Sequence, residues 1–265
     1  MRTRPRTAPA VAATPIRVLN RQAAAASKFT LQERIYRKLR EAIGTGRFAS
    51  GEVMTLRGIA ADFGTSAMPV REAMRRLAAE KALEMLPNRL IRVPLVSRQR
   101  FDELTELRQL LEGRCTAAAA VRATDAELRE IQLLSNRLSE AIKHEDYSYI
   151  LRTNHEYHFA VYRAANSPVL LEVVETLWLQ SGPYLAALSR ALQQRKSRLG
   201  ELNLSRHEEI TAALLAGDGE AARSVLADDI AQTAEWYCKI VGFNQRPEPP
   251  ARRPPYRLVR SEKRR

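Results

Sequence analysis

Between Thr65 and Leu77 the chain reads Thr-Ser-Ala-Met-Pro-Val-Arg-Glu-Ala-Met-Arg-Arg-Leu, and this stretch constrains the fold more than any other. Ser66 is a residue type that caps helix N-termini, and Pro69 falls in the first turn, where a missing N–H costs nothing. Val70, Ala73, Met74, Leu77 and Ala78 recur at i, i+3, i+4, i+7 and i+8, an apolar stripe that has to pack on something. The opposite face carries Arg71, Glu72, Arg75, Arg76 and Ala79. A helix of this kind just after a turn at Gly64 suits the second helix of a helix-turn-helix. It equally suits a surface helix with a solvated charged face, and the flanking segments decide between the two.

Upstream, Leu31, Ile35, Leu39 and Ile43 stand four apart after Thr30, predicting a helix that Gly44 and Gly46 end. Phe48 to Met54 read as a turn around Gly51, and Leu56, Ile59, Ala60 and Phe63 mark a short second helix with Arg57 pointing away from its stripe. Downstream, Leu83 to Leu86 and Ile91 to Leu95 flank the turn Pro87-Asn88-Arg89-Leu90, which predicts a hairpin. Three helices and a hairpin over residues 28–96 make a winged helix-turn-helix.

Charge is divided along the chain in the same way. Residues 1–27 hold five arginines and no acid, and residues 28–98 hold 14 basic and 7 acidic side chains. Residues 99–243 hold 16 basic against 21 acidic groups, and residues 244–265 hold 8 against 2. A basic N-terminal module on a mildly acidic body is the asymmetry expected when one part meets a polyanion and the other does not. The opening 27 residues and the Pro- and Arg-rich tail from Asn244 read as disordered basic arms. No apolar run approaches the roughly 18 residues of a membrane span. The cysteines Cys115 and Cys238 make no disulfide framework, which fits a reducing, cytoplasmic setting.

The second domain, residues 97–243, reads as helix throughout. Phe101, Leu104, Leu107, Leu111, Cys115 and Ala118 give one long amphipathic helix, and Asp125 caps the next. Further helices are predicted over 148–165, 168–179, 182–194, 201–215 and 219–241, with Gly217-Asp218-Gly219 separating the last two. Without an alternating strand pattern, an antiparallel helical bundle follows. The fold class is therefore mainly α, a winged helix-turn-helix followed by an all-helical bundle.

Arg71-Glu-Ala-Met74, preceded by Ser66-x-x-Pro-Val, resembles the recognition helix of the GntR family of bacterial transcription regulators. So do Gly46 and Gly51 around the first turn and Pro87-Asn88-Arg89 in the wing. Glu106-Leu-Arg-Gln-Leu-Leu-Glu112 and the alanine run after it resemble the start of the FadR-type, all-helical effector domain, the FCD domain. Ala67 stands where the family often has Arg, and Leu90 where it often has Gly. The resemblance implies a ligand-responsive, sequence-specific regulator, commonly a repressor, that dimerises through its helical domain and binds a palindromic operator in double-stranded DNA.

In helix-turn-helix geometry the N-terminal part of the recognition helix meets base edges. Arg71 suits a base reader, because a guanidinium can bond guanine O6 and N7 together. Met68 can offer apolar contact to a thymine methyl, and Ser66 sits at the same helix start. Arg57, Arg75 and Arg89 suit phosphates, which position without reading sequence. The family's usual DNA contacts match Arg57 and Arg71. Arg75 and Arg76 have an alternative as ion-pair partners of Glu72 or Glu80.

Four polar side chains fall on stripes that periodicity assigns to the interior. Asn154 and His158 share a face with Leu151, Val161 and Ala165; His207 shares one with Leu204, Ile210 and Leu214; Asp229 falls among Val225, Leu226, Thr233 and Trp236. Buried groups of this kind need partners. They can share a cation, since imidazole and carboxylate suit Zn²⁺, Ni²⁺ or Mn²⁺, or hydrogen-bond one another, or bond an effector directly. The resemblance implies the cation: many FadR-type domains use an Asp or Asn, a His four residues on, and two later His. Asn154, His158 and His207 match, with Asp229 in the place of the last His. His155, one position off, and His144, near a loop, read as ordinary surface residues. Arg108 shares a face with Leu104 and Glu112, and can anchor an effector carboxylate or pair with Glu112 at i, i+4. Small organic acids are the effectors the resemblance suggests. The rival classes are a metal-dependent enzyme using the same pocket, although no motif couples a general base to a nucleophile there, and a non-specific architectural DNA binder.

Overall fold

The computed structural model describes residues 29–87, 90–95, 97–145, 147–195 and 206–243. Both predicted arms lie outside these residues, as does Arg89.

The N-terminal domain begins with α1 (Leu31–Gly44), capped by the Thr30 hydroxyl, which accepts from the Glu33 N–H. Strand β1 (Val53–Thr55) leads directly into α2 (Leu56–Asp62), whose N-cap Thr55 accepts from the Gly58 N–H. A turn through Gly64 then enters α3 (Ala67–Ala79). Four of the five residues of the predicted stripe are buried, Val70, Ala73, Met74 and Leu77, in one core with Ile35, Leu39 and Ile43 of α1 and Ile59 of α2, while Ala78 is half-buried.

Ser66 stands at the N-cap of α3 with extended backbone, but its hydroxyl makes no capping bond. An N-cap side chain accepts from the second or third helical N–H, and Pro69 occupies the third position without one. The proline predicted to be harmless in the first turn thus removes a donor that the serine would use.

The wing is larger than a hairpin. Strands β2 (Glu84–Met85) and β3 (Leu90–Arg92) pair antiparallel, and β1 joins on the other side of β3 in the order β1-β3-β2. Val53 and Met54 thus belong to a strand and not to the turn expected from Phe48 to Met54. Three residues carry no resolvable period, and it is β3 that supplies their hydrogen bonds, Met54 standing opposite Ile91.

The helical domain contains α4 (Arg98–Arg122), α5 (Asp125–Lys143), α6 (Tyr147–Ala164), α7 (Pro168–Arg195), α8 (Arg206–Leu215) and α9 (Gly219–Ile240). The cap of α5 is Thr124, in a reciprocal box with Glu127, and Asp125 is the first helical residue. Tyr157 to Tyr162 of α6 are buried on every side, so α6 is the central helix of the bundle.

One prediction fails in an informative place. The segments 168–179 and 182–194 are a single helix, with Pro183 inside it. Gly182-Pro183 reads as a break because neither residue favours a helix interior. Here a different need wins. Ile43 of α1 presses its backbone on Gly182 so closely that a Cβ there would lie 1.9 Å from the Ile43 carbonyl oxygen. Gly46, with φ +71°, leaves a gap of the same kind against Ala186. The glycines let α1 rest on α7, and so join the two domains.

Candidate functional site

On the outer face of the winged helix, Arg57, Ser66, Met68 and Arg75 are exposed and Arg71 is half-buried. Met68 is 65 % exposed. Arg57 and Arg71 form no hydrogen bond or ion pair with the described residues, so their guanidinium donors are unspent. Arg75 donates to Glu72 at 3.1 Å, an exposed pair of little energetic weight. Arg76 is committed elsewhere: it donates to Glu33 at 2.6 Å and lies 3.6 Å above the Tyr36 ring. Its partner is a residue of α1, not the predicted Glu72 or Glu80, and it serves to hold α1 on α3.

In the helical domain, α6, α8 and α9 bring His158, His207 and Asp229 together, with one ligand atom of each within 4.8 Å of the others. His158 Nε2 lies 3.2 Å from His207 Nε2 and 3.9 Å from Asp229 Oδ2. Both imidazoles are buried, while Asp229 and Asn154 are half-buried. All four line a cavity of about 120 Å³, together with Arg108 and Trp178.

Burial, the neighbouring His207 and Arg108 hold His158 well below the usual histidine range, so the imidazole is neutral and offers a lone pair. His207 Nδ1 is buried with no hydrogen-bond partner. The imidazoles of His158 and His207 and the side chain of Asp229, converging on a cavity, form a donor set that fits a borderline divalent cation. Asn154 adds a side-chain amide to the lining.

Arg108 takes up the pairing with Glu112 and lies at the edge of the cavity. Its Nε donates to Glu112 Oε1 at 2.6 Å and its Nη2 to Oε2 at 3.3 Å, and it still borders the cavity. Glu112 is fully buried and also accepts from the Tyr162 hydroxyl at 2.5 Å. The sequence marks Glu112 only within its motif and as a partner for Arg108, and gives Tyr162 no role. The spacing of His158 and Tyr162 at i, i+4 was the available signal.

His155 is not an ordinary surface residue. It stacks on Phe159 with ring centroids 4.3 Å apart, meets Trp178 edge-on, and lines the cleft between α1 and the bundle. His144 is exposed beside Glu140, as read. Both cysteines are free, and no helix among the described residues is long and apolar enough to cross a membrane.

Residues 31–93 match the bacterial regulatory proteins of the gntR family, and residues 103–232 match the FCD domain. The HTH-type transcriptional regulator McbR of Escherichia coli K12 is 31 % identical over 194 residues, spanning 73 % of this chain and 86 % of McbR. The chain belongs to the GntR family. The solved E. coli McbR/YncC structure superposes with a TM-score of 0.74 at 29 % identity, covering 80 % of this chain and 98 % of that one. A probable D-xylose utilization operon transcriptional repressor of Paenarthrobacter nicotinovorans is 29 % identical, spanning 71 % of this chain and 80 % of its own length. The Gluconate operon transcriptional repressor of Bacillus subtilis is 24 % identical, spanning 71 % and 73 %. This GntR regulator is thus a winged-helix transcription factor with a ligand-responsive FCD domain, and the cavity lies within the FCD part.

Proposed function

We propose that this GntR protein is a cytoplasmic, homodimeric repressor, not an enzyme. Its FCD cavity holds a divalent cation through His158, His207, Asp229 and Asn154, and a small carboxylate effector reaching that cavity releases a palindromic operator. The convergence of His158, His207 and Asp229 from three helices carries the reading. Repression is favoured by the likeness to the D-xylose utilization and gluconate operon repressors.

A Zn²⁺, Ni²⁺ or Mn²⁺ ion would supply a Lewis-acid position for an effector oxygen. The chain's own residues do the remaining work. Arg108 meets an effector carboxylate from α4, and Trp178 closes the cavity on the side toward the DNA-binding domain. On DNA, Arg71 and Met68 read bases, while Arg57, Ser66, Arg75 and Arg89 hold phosphates. Two such heads on a dimer span half-sites about one helical turn apart. The outward-facing, unpaired Arg57 and Arg71 support a sequence reader over both an enzyme and an architectural binder.

Elemental mass spectrometry of gently purified, tag-free protein beside His158→Ala tests the cation. Near-stoichiometric metal in the wild type and none in the variant is expected. Absence from both would return the four side chains to direct hydrogen bonding with an effector.

A further inference from the structure

The geometry points to a positioning role for Glu112 and Tyr162: they hold His158 in the tautomer that keeps its Nε2 lone pair on the cavity, so that the imidazole is set as a ligand before a cation arrives. The metal part of this inference rests on the proposed cation site; the tautomer does not.

The argument follows one proton. A tyrosine hydroxyl carries a single hydrogen and can donate only once. Tyr162 donates it to Glu112 Oε2 at 2.5 Å. Glu112 is wholly buried and is pinned by two bonds from Arg108. The oxygen of Tyr162 therefore has only lone pairs left for His158 Nδ1, 3.2 Å away. That contact is a hydrogen bond only if Nδ1 carries the proton. A neutral imidazole has one N–H, so Nε2 is bare.

The far side of the ring agrees with this direction. The bare Nε2 faces His207 Nε2 at 3.2 Å, so without a cation His207 donates through Nε2. His207 Nδ1, on the other side of that ring, is buried with no hydrogen-bond partner to compete for its proton. Outer partners of this kind orient ligating imidazoles and raise their basicity. None of Arg108, Glu112 and Tyr162 needs to touch the ion.

The test reads the tautomer directly. The full chain, labelled with ¹⁵N-histidine and free of metal, is examined by long-range ¹H–¹⁵N correlation at neutral pH, with His158 assigned from the signal lost in His158→Gln. The wild type should show the Nδ1–H pattern, and Tyr162→Phe, which keeps the ring, should shift it toward Nε2–H. In parallel, Zn²⁺ is titrated against a chromophoric chelator, and Tyr162→Phe should weaken uptake by about 10–100-fold. An Nε2–H wild type overturns the inference whatever the metal does. An Nδ1–H wild type with equal Zn²⁺ affinity in Tyr162→Phe overturns the positioning role. A wild type that takes up no Zn²⁺ counts against the proposed cation site, while the tautomer signal still decides the relay.

Discussion

Trp178 and Leu179 are consecutive residues of α7 and belong to different hydrophobic cores. Trp178 packs among Cys115, Phe159 and Tyr162 of the FCD domain, and Leu179 packs with Ile35, Met74 and Leu77 of the winged helix. Trp178 also walls both the cavity of the FCD domain and the cleft facing α1. A shift of α7 at the cavity therefore acts on the helix against which the DNA-binding domain rests. Arg40 strengthens the same junction by bonding Glu175 of α7 at 2.9 Å while approaching Glu80 at 3.4 Å.

Gly182→Ala tests that junction. Its Cβ would meet the Ile43 carbonyl at 1.9 Å, and neither backbone can yield locally. Overpacking of this kind costs about 1–3 kcal/mol. The expected result is a lower urea midpoint and a gel-shift response to effector that is weakened, while a winged helix with an intact core still binds DNA. An unchanged midpoint would mean that α1 does not rest on α7 in solution.

Arg71 and Arg75 should separate in gel shifts. Arg71→Ala should abolish preference for the operator over unrelated DNA, since a bidentate guanine contact is worth ~1–3 kcal/mol of discrimination. Arg75→Ala should weaken all sequences alike and lower the salt slope by about one phosphate contact. Its pair with Glu72 is exposed and offers little resistance to being exchanged for a phosphate. Preserved operator preference in Arg71→Ala would remove it as the base reader.

The recognition helix was legible because one stripe and one charged face repeat over three turns, and tertiary structure does not compete with that pattern. The cluster of Asn154, His158, His207 and Asp229 was legible for the same reason, as polar groups on apolar stripes. What the sequence hid depends on partners remote in the chain. Val53–Thr55 is a strand only because β3 lies beside it. Gly182-Pro183 continues a helix because α1 needs the space. Ser66 fails as a cap because of a neighbour three positions on. His155 looks exposed by period, yet the cleft between the domains covers it.

That cleft makes the fold acid-sensitive. Burial, then Arg163 and Arg40, push His155 down to about 4 from its ordinary 6.5. Between those values the unfolded chain binds a proton that the folded chain does not, so stability is lost as pH falls through this window. His158, also held low, acts with the same sign. His155→Phe keeps the stack on Phe159 and removes one titration. Urea midpoints measured from pH 7 to pH 4 should fall less steeply in the variant than in the wild type, without becoming flat. Identical profiles would mean that His155 is open to solvent.

Arg108 pairs with Glu112 and is proposed to meet an effector carboxylate, and its variants have to be chosen to separate the two roles. Glu112 is fully buried, so Arg108→Ala strands a carboxylate, and breaking a buried pair from one side costs about 3–5 kcal/mol. Loss of effector response in that variant would say nothing about the cavity. Arg108→Lys keeps a positive charge against Glu112 and forfeits the planar fork that grips a carboxylate at two points. It should retain most of the urea stability while requiring more of an organic acid to release operator DNA. Full acid response in Arg108→Lys would assign Arg108 to Glu112 alone. A wild-type midpoint in Arg108→Ala would mean that Tyr162, and not the guanidinium, is what holds Glu112 in place.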